Sequence, residues 1–352
     1  MTTRYHRVHL EAIGYELAPI PVLSTELEER LEPLYRALHI GSGQVEALTG
    51  VTERRWWPAG YRVSDGAIAA ARDALDRCDV PASALETVIF ASVCREQMEP
   101  ATACRVAHGI GASRSAAIHD LSNACLGVVN AVHDIANRIE LGQIRAGIVV
   151  ACESARDINE IAITRMLERP EMPFFIRSLA TLTGGSGAAA MILSDGSFHQ
   201  DGLPRLRGGV TEAAPEHHEL CIWGHRPIEG DDPWLREEIM STDSVAVLTH
   251  GVELGLRTWR AFLTAMDWTA GDVDRTICHQ VGSAHRSTIL DRIEVPPERD
   301  FITYPFLGNM GTVSIPLTAA LAAERGVLEP GQNVAFLGIG SGLNCAMQGW
   351  SW

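Results

Sequence analysis

Three side chains in this sequence have the types and settings needed for acyl transfer. Cys125 stands in "LSNACLGVVNAV" (Leu121 to Val132), after a run, "RSAAIHD", that reads as the end of a strand and at the opening of a helical stretch. The first turn of a helix carries free N–H groups and the positive end of the dipole, which favour a thiolate. A lone cysteine in such a place is more often a small buried residue than a nucleophile. His279 follows the apolar run "TIC", at an expected strand end, and Asn309 lies between glycines in "YPFLGNMGTVSIP". Glycines there permit an unusual backbone path. Singly, His279 reads as a structural histidine and Asn309 as a turn residue. Together with Cys125 at equivalent strand ends they form a Cys, His, Asn set suited to acyl transfer. The sequence signature of papain-type hydrolases around the cysteine is missing.

The elements that must position this set repeat. "LETVIFASV" (Leu85 to Val93) and "GIVVAC" (Gly147 to Cys152) are apolar runs without alternation, the pattern of strands buried on both faces, with a helix expected over Leu126 to Leu141 between them. The order recurs in "DRTICHQVG" (Asp274 to Gly282), an amphipathic stretch, "ERDFITY" (Glu298 to Tyr304), a helix over Ser314 to Glu324, and "NVAFLGIGSG" (Asn333 to Gly342). "IELGQIRAGIVVACES" and "GVLEPGQNVAFLGIGSG" both read as helix end, Gly-Gln turn and apolar strand. Strands alternating with helices imply parallel α/β layers with functional groups at the carboxyl ends of the strands. The turn-rich "LSDGSFHQDG" (Leu193 to Gly202) places a boundary between two halves, residues 1–195 and 196–352.

Composition narrows the partners. A length of 352 residues with 46% hydrophobic and 21% charged residues describes a globular chain with ample material for a core, and no apolar run is long enough to cross a bilayer. The start lacks a basic segment followed by a long apolar one, so the cytoplasm is expected. A net charge of −15 argues against nucleic acid as a partner. The eight cysteines form no CxxC pair, which fits free thiols, most of them buried, better than disulfides or zinc.

"SNACLG", "CHQVGSAH", "LGNMGTVSIP" and "LGIGSGLNC", in this order, resemble the thiolase superfamily and within it the β-ketoacyl synthase III branch. The resemblance implies an α/β thiolase fold, five layers αβαβα in two pseudo-symmetric halves, and a homodimer. It makes Cys125 the acyl-accepting nucleophile in the N-terminal half, with His279 and Asn309 in the C-terminal half as hydrogen-bond donors to the second substrate. The N–H groups of Cys125 and Gly342 would form the oxyanion hole, and Ser341 of the same turn, with Arg54, Arg55 and Trp56, would bind substrate. Coenzyme A enters only as part of the substrate, and no metal or redox cofactor is implied.

"CREQMEPATACR", "GVTERRWW" and the terminal "LGIGSGLNCAMQGW" look more like OleA-type enzymes of long-chain olefin and β-lactone biosynthesis. The glutamate before a proline in that segment corresponds to Glu99, which in that family reaches across the dimer interface as a base. The α-proton of an unactivated thioester is weakly acidic, so its removal needs a carboxylate held in a dry pocket. The implied reaction is a non-decarboxylative Claisen condensation of two long-chain acyl-CoA to a 2-alkyl-3-oxoacyl-CoA or β-keto acid, with pathway enzymes downstream. Two alternatives share Cys125, His279 and Asn309: a decarboxylating synthase III using malonyl-ACP, and one subunit of a heterodimeric β-lactone-pathway synthase. One departure concerns coenzyme A. Where synthase III enzymes carry an aromatic residue and an arginine, this chain has Gln44 and Leu48, leaving Arg54, Arg55 and Trp56 as the available grip or as a structural turn with a buried ion pair. "MLERPEMPFFIRSLATL" (Met166 to Leu182) is a candidate channel lining, and "TGGSGAAAMIL" reads as close backbone packing, lacking the helix-borne lysine of a phosphate loop.

Overall fold

The computed structural model describes residues 1–198, 202–228 and 234–352. Residues 199–201 of the turn-rich boundary segment lie outside the described residues. In chain order the strands are β1 (Thr2–Arg4), β2 (His9–Leu17), β3 (Ile20–Leu23), β4 (Glu53–Trp56), β5 (Thr87–Phe90), β6 (Ala117–Asp120), β7 (Ala146–Glu153), β8 (Gly187–Ser194), β9 (Arg205–Ala213), β10 (Cys221–Pro227), β11 (Arg236–Thr242), β12 (Arg275–Cys278), β13 (Asn333–Gly340) and β14 (Asn344–Ser351).

The first half builds the strand order β6-β5-β7-β8-β2, the second β12-β13-β14-β9, and one residue pair, His9 with Arg205, joins them. β1 pairs with β9 at the far side of that junction. β5 runs parallel to β6 and β7, while β8 is antiparallel to both β7 and β2. The second half repeats this: β12 is parallel to β13, and β14 is antiparallel to β13 and β9. Where β6 has its counterpart, the expected strand in "ERDFITY" is reduced to a single parallel bridge from Asp300 to Thr276. The sheets are therefore mixed, not wholly parallel as expected. The reason is that β8 and β14 each return antiparallel beside the strand that precedes them, β14 directly through the turn at residues 341–343.

The layers follow from burial. The helices Gly127–Glu140 and Ser314–Glu324 lie in one apolar cluster with inward residues of both sheets, among them Val149 and Met191 of the first and Ile277 and Phe336 of the second. Residues 314–322 are buried all round, as a helix sandwiched between two sheets must be. The helices Val63–Asp76 and Thr102–Ile110 cover the outer face of the first sheet. Ser244–Met266 and Ser283–Arg292 cover that of the second. The order is αβαβα. A further apolar cluster joins the helices Ser24–Arg30 and Glu32–Leu38 to β4 and to the segment Arg156–Thr183. Every residue of β7 is buried, which accounts for its unalternating apolar run.

Candidate active site

Cys125 follows the carboxyl end of β6 in a tight turn into the helix Gly127–Glu140. Ala124 takes a left-handed backbone, φ 46°, a conformation costly for a residue with a Cβ and held here by its surroundings. The turn is closed by Leu126 N–H donating to Asn123 O (2.9 Å) and Gly127 N–H to Ala124 O (3.3 Å). Thr312, from the other half of the chain, caps the helix by accepting from Val128 N–H at 2.7 Å. Three asparagines tie the turn down. Asn123 donates to Asn130 Oδ1 at 2.7 Å and accepts from Asn344 Nδ2 at 3.2 Å, linking the Cys125 turn to the glycine turn after β13. The helix N-terminus was expected to favour a thiolate. Burial outweighs it, and with Cys221 and Glu153 nearby pushes the Cys125 thiol up to about 12.

His279 sits directly after β12, its N–H donating to Leu337 O of β13 at 2.8 Å. Gln280 fixes the next turn, donating to Cys278 O and accepting from Thr303 and Tyr304 N–H. Burial lowers His279 to about 4, His285 adding to the effect, and burial alone lowers His285 to about 4. Both rings are neutral at neutral pH, and His279 Nδ1 is buried without a protein partner. Asn309 is gripped by the glycine-rich segment of the first half. Its N–H donates to Thr183 O and its carbonyl accepts from Gly185 N–H, both at 2.9 Å. Its Oδ1 accepts from Gly311 N–H at 3.0 Å. A Cβ on Gly185 would collide with Leu307 O, so the "TGGSG" glycines serve this close approach.

Cys125, His279 and Asn309 open on one cavity of about 510 Å³. Its walls are mostly apolar: Phe175, Ile176, Leu179 and Ala180 from the Met166 to Leu182 segment, Met240 from β11, Val245 and Leu248 from the helix Ser244–Met266, and Ile339 and Leu343 around the glycine turn. Ser341 lines it too, as does Leu48. His285, Cys221 and the hairpin β10–β11 also belong to this wall and had not been singled out as site features, although His285 lies inside the quoted "CHQVGSAH". Neither "CIWGHRP" nor "REEIMST" alternates between apolar and polar residues, so the sequence carried no clear signal for the hairpin.

Other expected residues stand elsewhere. Arg54 is fully buried, donating to Val22 O and Ser24 Oγ, and Trp56 is packed in the cluster beneath β4, so neither grips a substrate. Arg55 leans on Glu53 and Ala18 O and does not line the cavity. The antiparallel β3–β4 pair turns Arg54 and Trp56 inward, against the substrate-binding role expected of them, while Arg55 stays half-exposed. Gly340 and Ser341 line the cavity while Gly342 does not; a Cβ on Gly342 would meet the Asn344 side chain, and one on Gly340 would lie 3.4 Å from Cys125 N. Glu99 is exposed on the loop between β5 and the helix Thr102–Ile110 and does not reach the cavity of its own chain. All eight cysteines are free, but only Cys152, Cys278 and Cys345 are fully buried, fewer than expected. Among the described residues no cluster of His, Cys, Asp or Glu is arranged to hold a metal, and no helix is long and apolar enough to cross a membrane.

Two sheets of repeated topology around two central helices, with a cysteine and a histidine beyond strand ends and an asparagine in a turn on the same cavity, define a thiolase-superfamily protein of the β-ketoacyl synthase III kind. Residues 61–173 match the thiolase N-terminal domain and residues 263–352 the C-terminal domain of 3-oxoacyl-[acyl-carrier-protein] synthase III. The acyl-CoA:acyl-CoA alkyltransferase of Shewanella oneidensis is 52% identical, covering 99% of this chain and 100% of that protein. That of Xanthomonas campestris pv. campestris is 32% identical, covering 99% of each. A Cys-to-Ser variant of Xanthomonas campestris OleA, solved with bound lauric acid and lauroyl-CoA, superposes with a TM-score of 0.91 at 32% identity over 99% of this chain and 100% of that one. The chain belongs to the acyl-CoA:acyl-CoA alkyltransferase family.

Proposed function

We propose that this protein joins two long-chain acyl-CoA molecules by non-decarboxylative Claisen condensation in the cytoplasm, as a homodimer. The observation that carries the reading is the convergence of Cys125, His279 and Asn309 on one large apolar cavity in a chain of this family. Residues 1–195 supply the nucleophile and 196–352 the polar donors. In the first stage the Cys125 sulfur attacks the thioester carbonyl, the C–S bond to coenzyme A breaks, and the thiol proton ends on the coenzyme A sulfur. The oxyanion is held by the N–H groups of Cys125 and the glycine turn. Gly342 supplies the second of these N–H groups, in a turn whose Gly340 and Ser341 line the cavity.

In the second stage His279 and Asn309 hold the thioester oxygen of a second acyl-CoA. Glu99 of the partner subunit takes its α-proton. The carbanion attacks the acyl-cysteine carbonyl, a C–C bond forms, the C–S bond to Cys125 breaks, and the sulfur recovers the proton from Glu99. The products are a 2-alkyl-3-oxoacyl-CoA and free coenzyme A, so neither a metal nor a redox cofactor has a step to perform. The test is mass spectrometry of the protein with lauroyl-CoA as sole substrate, beside Cys125→Ser and Glu99→Ala. The expected result is a product joining two acyl chains from the wild type, no acyl-enzyme from Cys125→Ser, and arrest at the acyl-enzyme in Glu99→Ala. Product formed only after malonyl-ACP is added would show a decarboxylating synthase instead.

A further inference from the structure

We propose that Glu153 is a positioning residue for the condensation step, its carboxylate fixing the root of the loop that presents Glu99. This rests on the reading of Glu99 as the base. Glu153 is the last residue of β7 and only 4% exposed. Its Oε1 accepts from Val93 N–H at 2.9 Å and its Oε2 from Cys94 N–H at 3.1 Å, the residues with which the loop leaves the sheet after β5. Further along, Glu96 accepts from Ser64 N–H at 3.0 Å and pairs with Arg62 at 2.8 Å. At the far end Asp120 accepts from Thr102 and Ala103 N–H, both at 2.9 Å. Between the Glu96 and Asp120 anchors the tip, residues 97–100, is exposed, Met98 completely so.

A segment secured at root, middle and end with an exposed tip is built to hold that tip in a fixed place. Among the three anchors Glu153 is the one placed between both parts of the chemistry. A Cβ on Gly311, two residues beyond Asn309, would lie 3.4 Å from Glu153 Cγ, and the Glu153 charge is felt at Cys125. A carboxylate is also the side chain the geometry needs. Both oxygens accept, so both diverging N–H groups are satisfied, whereas an amide would aim its NH2 at one of them. Keeping an acid buried without a cationic partner is costly, which a structural filler of the same volume would avoid.

The experiment uses the full-length protein and lauroyl-CoA, comparing the wild type with Glu153→Gln, Glu153→Asp, Glu99→Ala and the Glu153→Gln/Glu99→Ala double variant. The first stage is read as acyl-enzyme formed by one equivalent per site, the second as condensed product in excess substrate. In Glu153→Gln the first stage should stay within about threefold of the wild type while the second falls by at least about tenfold, because displacing a base by an ångström is enough for that loss. Val93 and Cys94 amides should exchange with deuterium faster, and the double variant should lose nothing beyond Glu99→Ala, since the two act through one group. Parallel loss of both stages, an unchanged second stage, or additive losses would overturn the proposal. Glu153→Asp keeps both acceptors on a shorter stem, and if Glu153→Gln does not fold it is read by the same criteria. If Glu99→Ala condenses normally, it is the assignment of the base that has failed.

Discussion

Three histidines, His133, His279 and His285, are each lowered by burial to about 4 from an ordinary value of 6.5. The unfolded chain therefore binds protons at these sites from pH 6.5 downward while the folded chain does not, so they withdraw stability as the pH falls toward 4. Two buried acids act in the opposite sense. Glu153 is raised by burial to about 7, and Asp300 is raised by burial too, so the folded state holds their protons where the unfolded chain has released them. His9, half-buried, is lowered by burial as well, so the histidines outnumber the acids, by about 1.4 kcal/mol per pH unit for each net proton. The urea midpoint should fall between pH 6.5 and 4.5, and His133→Leu should flatten that fall; a midpoint that rises over this range would contradict the count. The same neutrality suits His279 to donate to a thioester oxygen. His279→Ala and Asn309→Ala should each lower condensation by about 100-fold and leave the acyl-enzyme measurable by intact mass, the loss expected of one oxyanion donor. These residues were legible because each stands inside a motif. Glu153, Asn344 and Thr312 were not, because what they hold lies 59 to 221 residues away in the chain and only the fold makes them partners. Arg54 misled because a charged residue reads as exposed until its burial behind β3 and β4 is seen.

At the scale of elements, the sequence showed the central layers best. The helix expected over Leu126 to Leu141 is Gly127–Glu140, and the one over Ser314 to Glu324 is observed with those bounds. Both flank strands buried on two faces, where the apolar signal is continuous. The outer helix Ser244–Met266 and the hairpin β10–β11 escaped because neither carries a motif. Both nonetheless line the cavity. The junction between halves is more exposed to perturbation than any single helix. Gly185 and the turn holding Asn309 pass so closely that Gly185→Ala must move one of them. It should cost about 3 kcal/mol or more in urea unfolding and weaken condensation beyond acyl-enzyme formation, because Asn309 moves while Cys125 does not. Equal loss of both stages would place the strain elsewhere.

For the whole molecule, the arrangement of Glu99 makes a prediction that separates a shared site from a self-contained one. Each chain carries its own Cys125, His279 and Asn309 on one cavity but directs Glu99 away from it. If two copies exchange these loops, a dimer of one Cys125→Ser chain with one Glu99→Ala chain contains one complete site, built from the cysteine of the second and the glutamate of the first. Random pairing of equal amounts makes half the dimers hybrid with one of two sites complete, so co-expression should restore about a quarter of wild-type condensation, although each variant alone has almost none. If Glu99 serves its own chain, no hybrid contains a complete site and the mixture stays as inactive as its parts. Hybrids isolated with two different affinity tags make the comparison direct. Their specific activity should be about half that of the wild type, one working site in two. Activity at that level would also remove the heterodimer alternative, since two copies of this one chain would then supply every group the reaction uses.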